Sequence, residues 1–149
     1  MKLLVLWLHL FSAIVWVGGL VYQTHVLLPA ARRGDASGFL DAATRARPAT
    51  WTAITLVVLT GFYNVTQLGS LERVMESGAG LALAAKFFLV ILAVALASQR
   101  DFAQVARLRR AVTGAETPTG ALTAIAWLDR IVLILAAAIV YLGLAVSRA

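Results

Sequence analysis

Two ionisable side chains, His9 and Lys86, stand deep inside long apolar runs of this chain. An ionisable group in such surroundings is costly to bury. Where it persists, it usually faces a helix-bundle interior or a water-filled cavity and marks a functional site. A neutral imidazole is a good ligand for iron, copper or zinc, and a lysine stripped of solvent can offer a neutral amine. Each residue also has a plainer reading. His9 could be hydrogen-bonded to Tyr or Asn across a bundle, and Lys86 could snorkel to the headgroups on its long stem.

Holding these two residues requires elements of a particular kind. Of the 149 residues, 61% are hydrophobic and 13% charged, against about 45–50% and 25% in soluble domains. Mean hydropathy is +0.87. So few charges cannot clothe a water-facing surface, and lipid is the expected solvent. Four runs, at about 3–28, 49–69, 79–98 and 122–147, reach the roughly 20 residues that a membrane crossing needs. The expected fold is therefore all-α, an integral membrane four-helix bundle formed by one domain over residues 1–149. The first run is too long for the apolar core of a signal peptide and reads as a retained helix. Pro29 and the polar run from Arg32 to Asp35 are expected to end it, Pro48 to open the second helix, and Gly69-Ser70 to close it.

The net charge of +6 follows a membrane pattern rather than a nucleic-acid one, because no basic stripe interleaves with exposed aromatics. Arg32, Arg33, Arg45 and Arg47 fall in the first loop and Arg100, Arg107, Arg109 and Arg110 in the third. The opposite side holds only Lys2, Arg73 and Arg148. The positive-inside rule then puts loops one and three in the cytoplasm and both termini outside, as in a bacterial or archaeal cytoplasmic membrane. Trp51 and Trp127 are expected at the inner interface. Phe102, Val105, Leu108 and Val112 recur at helical spacing and read as a cytoplasmic extension of helix three, with a helix lying on anionic lipid as the rival. The chain has no cysteine, which excludes disulfides, thiolate metal sites and Cys nucleophiles.

On this topology His9 is about six residues into helix one and Lys86 about seven into helix three, both counted from the outer side. Tyr63 and Asn64 of helix two and Tyr141 of helix four fall at a comparable depth. Polar groups from four helices thus converge on one outer layer. Trp16, seven residues after His9, shares its face, while Ser12, Ala13, Gly18 and Gly19 make helix one slim. That slimness serves either close helix packing or a planar ligand. His25 is about 24 Å further along the helix than His9 and some 160° around it. It is expected near the inner interface in a polar network with Asp129 and Arg130.

His9, Trp16, Gly18-Gly19-Leu20 and Tyr22 together read H-x6-W-x-G-G-L-x-Y. This resembles the first helix of the CopD/HemJ group of small membrane proteins. Arg47 followed by Thr60-Gly61 is similar to their R…TG pattern, and Lys86 within Ala84-Ala85-Lys86-Phe87-Phe88 to the lysine of their third helix. The likeness covers roughly residues 5–100. Leu28-Pro29 is followed by Ala30 where HemJ-like chains carry Arg.

The resemblance implies haem b as cofactor, with His9 and Lys86 as catalytic and iron-ligating residues. Trp16, Gly19, Tyr63 and Tyr141 would line the porphyrin beside them. It also implies a redox role of the protoporphyrinogen-oxidising type, with a porphyrin substrate or a redox partner. Two other readings stay open: a copper-handling or transport protein gated by His9 and Lys86, and a non-catalytic accessory subunit of a larger membrane complex. Membrane lipid is the expected surroundings, homo-oligomer formation is compatible with the chain, and nucleic acid is not an expected partner.

Overall fold

The computed structural model describes residues 1–67, 79–114 and 117–148, and these are all helix and turn. They form four long rods. The first runs through α1 (Lys2–Tyr22), a π-helical turn (Gln23–Leu27) and α2 (Leu28–Arg32). The second is α3 (Ala36–Thr66). The third is α4 (Ala79–Ser98), a second π-helical turn (Gln99–Gln104) and α5 (Val105–Val112). The fourth is α6 (Thr119–Arg148). Three stretches, Lys2–Arg32, Gly80–Val112 and Thr119–Ala145, are long and apolar enough to cross a membrane.

Two expected boundaries differ, each for a local reason. Pro29 does not end the first rod. It occupies the first turn of α2, directly after the π turn, where its missing N–H breaks nothing that the wider turn has not already opened. The rod stops at Gly34, whose φ of 122° is a left-handed conformation suited to glycine. The second rod then begins at Ala36, not near Pro48. Asp35 caps it by accepting the Gly38 N–H at 3.0 Å. Pro48 lies inside the helix, so residues 36–48 are helix rather than loop. The third rod continues to Val112, in agreement with the expected extension of helix three. The expected close of helix two at Gly69-Ser70 lies outside the described residues.

α1 packs along α3 and α4 along α6, so the rods form two pairs. Between α4 and either α1 or α3, close backbone approaches are few. The pairs meet mainly through the π turns and through α2 and α5, toward the arginine-rich end. Two apolar clusters hold the bundle. One gathers Trp16, Ala53, Ile54, Ala93 and Val132 at mid-length. The other, toward the arginine-rich end, gathers Leu28, Phe39, Val105, Leu108, Leu122 and Ile125. Val105, Leu108 and Ala111 of α5 are all buried, so this amphipathic helix spends its apolar face on the bundle.

Candidate functional site

Several threonines of α3 direct their hydroxyls back to the helix's own carbonyls. Thr44, Thr55 and Thr60 each donate to the carbonyl four residues earlier. For Thr60 this fixes more than itself. A hydroxyl has one proton, and with that proton directed at the Leu56 carbonyl the oxygen can only accept. His9 Nδ1 lies 2.9 Å from Thr60 Oγ1. The tautomer that complements this arrangement carries its proton on Nδ1, where the Val57 carbonyl is a further acceptor. In that tautomer Nε2 carries the lone pair. A ligating histidine is oriented in this way, by a hydrogen bond from its other nitrogen.

Gly61, next to Thr60, lets the ring lie against the backbone of α3. A Cβ there would stand 3.3 Å from His9 Cε1. The arrangement recurs in the second pair of rods. A Cβ on Gly143 of α6 would stand 3.1 Å from Lys86 Nζ. Lys86 is half-buried, packs toward α6, and lies within electrostatic reach of His9. One imidazole and one amine are thus each seated on a glycine of the paired rod, within electrostatic reach of each other.

The other expected lining residues are spread more widely. Trp16 is buried on the His9 face, about 10 Å further along. Tyr63 is one turn beyond Thr60 and more than a third exposed. Tyr141 precedes Gly143 by two residues, some 200° around α6, and is 72% exposed. Gly19 is exposed, with open space where a Cβ would project.

A second polar layer lies beyond Trp16, between the two apolar clusters. Arg100 (6% exposed) donates from Nε to Asp129 Oδ1 at 3.0 Å, from Nη1 to Asp101 Oδ1 at 2.6 Å, and from Nη2 to Gln23 Oε1. Its guanidinium lies over the Phe39 ring. Asp101 Oδ2 accepts the Trp51 indole N–H at 3.0 Å, and its carbonyl accepts Arg47 Nη2 at 3.2 Å. Thr24 adds a longer contact to Asp129 Oδ2. All four rods contribute, and the Arg100 guanidinium lies between the two carboxylates. Gln23, Thr24, Arg100 and Asp101 all lie in the two π turns, a feature frequent at functional positions. Beside this layer is a cavity of about 20 Å³, lined in part by Trp16, Gln23, Arg100 and Asp129, which is room for one water.

Sequence reasoning missed this layer. Arg47 and Arg100 count there as loop charges and Trp51 as an interfacial aromatic. Asp129 does belong to a polar network, but its partner is Arg100. Arg130 instead lies over the Trp127 ring, and His25 bonds the Val21 carbonyl at 3.0 Å. The available signal was Asp129 itself, one of only seven acidic residues and set in an apolar helix.

Among the described residues no group of three or more His, Cys, Asp or Glu side chains is placed to hold a metal ion. Comparison with known proteins gives no match to any family model, characterised protein or solved structure.

Proposed function

We propose that the chain is an integral membrane protein that binds haem b between its two helix pairs and has a redox role. His9 would hold the iron through Nε2, and the Lys86 amine would serve as a second ligand or an adjacent base. The observation that carries this reading is the His9 ring, hydrogen-bonded to Thr60 through Nδ1 and seated against Gly61. The donor set fits the group. A bare metal ion needs three or four protein ligands, whereas a porphyrin brings four nitrogens and asks the protein for one or two. When bound, haem would supply one-electron chemistry.

The protein's own residues would do the rest. Thr60 and Gly61 orient His9, Gly143 seats Lys86 where it can hold a proton, and Trp16 closes the side facing the buried charges. The arginine-rich end is assigned to the cytoplasm and both termini to the outer side. A copper-handling role has less behind it, since soft copper prefers Cys or Met and the chain has no Cys and two Met.

The test is reconstitution. Protein purified in detergent and titrated with haem should saturate at about one haem per chain and give a reducible spectrum. Protoporphyrinogen oxidation by the loaded protein then tests the specific activity that the resemblance implies.

A further inference from the structure

At the arginine-rich end a pocket of about 200 Å³ opens between the first and fourth rods, lined by Thr24, His25, Leu28, Pro29, Arg32 and Arg130. It is an order of magnitude larger than the water-sized cavity beside Trp16. Two arginines far apart in sequence converge on it from different rods, joined by a histidine, and no carboxylate lines it. Asp129, the nearest acid in sequence, is 1% exposed and turned inward to Arg100, with Thr24 at its other oxygen. Arg32 has no hydrogen bond or ion pair among the described residues, and Arg130 has only the face of Trp127. Like charges brought together without a counter-charge repel, and an anion between them offsets this. A guanidinium pair suits a phosphate in particular. The surroundings suit a lipid, because Tyr22, Val26 and Ile131 are exposed apolar neighbours on the same two rods, and Trp127 is an interfacial type of residue.

We infer that this pocket binds the phosphate group of an anionic phospholipid, with Arg32 and Arg130 as its two anchors. The inference rests on the membrane placement proposed above, but not on haem. Basic pockets between transmembrane helices on the cytoplasmic side take such headgroups.

The test uses the full chain in detergent micelles and native mass spectrometry, with phosphatidylglycerol and phosphatidylcholine added at equal concentration. Phosphatidylglycerol adducts should be preferred. Arg32→Gln and Arg130→Gln should each reduce the preference by about fivefold, while an Arg109→Gln, Arg110→Gln control leaves it unchanged. Inorganic phosphate is then titrated as competitor. Displacement of the lipid at low millimolar phosphate, dependent on Arg32 and Arg130, would keep the phosphate site but assign it to the free ion. Equal binding of the two lipids, or a preference untouched by the Arg32→Gln, Arg130→Gln double variant with its helical content intact, would overturn the inference. Alkaline extraction of native membranes separates the two proposals. Release of the chain would overturn the membrane placement itself, whereas retention with no lipid preference would overturn only the headgroup site.

Discussion

Arg100 and Asp129, on the third and fourth rods, share a hydrogen bond of 3.0 Å in the interior of the bundle. Around it the chain arranges Gln23, Asp101, Trp51 and Arg47, so that polar side chains from every rod meet at one level. Such a pair adds little net stability over an apolar equivalent, but leaving one member alone is expensive.

Asp129→Ala is therefore expected to destabilise the protein by about 3–5 kcal/mol, and Asp129→Asn by less, since it keeps an acceptor. Removing both members, as Arg100→Met with Asp129→Leu, should cost less than the sum of the single changes. Denaturant or thermal unfolding in one detergent, followed by helical circular dichroism, measures this. Additive losses would show that the two residues act independently.

Thr60→Val removes the acceptor that orients His9 while keeping side-chain shape. The fold should lose only about 1 kcal/mol. Haem affinity should fall by about 10–100-fold, the usual effect of losing the group behind a ligating histidine. Haem titration of wild type and variant checks it, and equal affinities would detach Thr60 from the site.

Gly61→Ala places a methyl at 3.3 Å from the His9 ring, and Gly143→Ala places one at 3.1 Å from Lys86 Nζ. The lysine end is flexible and can move aside, so Gly143→Ala should leave thermal stability nearly unchanged. The histidine ring is held by its own hydrogen bond and cannot retreat as freely. Haem per chain should therefore drop more in Gly61→Ala, as read by absorbance against protein concentration.

Because the chain has no cysteine, single cysteines report topology without background. Lys2→Cys should react with a membrane-impermeant thiol reagent in intact cells, and Arg33→Cys only after the cells are opened. The reverse pattern would invert the assigned orientation.

Much of the architecture was legible because apolar run length dictates helices. His9 was visible as an ionisable residue in an apolar run, Trp16 by its seven-residue spacing from it, and Thr60-Gly61 through the resemblance alone. Gln23 and Arg100 were not, for a physical reason. A π turn adds a residue to the helical period, so a face traced at 3.6 residues per turn loses its register at Gln23 and again at Gln99. The charges from Arg45 to Pro48 looked like loop because a proline there usually opens a helix, yet Asp35 had already capped it thirteen residues before Pro48. The role of Thr60 depends on where one hydroxyl proton goes, which spacing cannot reveal.

The proposed haem site depends on His9 presenting Nε2 to the iron. The absorption spectrum of protein purified from haem-replete cells, before and after reduction, tests it most directly. The expected result is a Soret band that sharpens and shifts on reduction and disappears in His9→Ala, with the variant still extracted as a helical protein. A colourless wild-type preparation, or a Soret band that His9→Ala leaves in place, would contradict it.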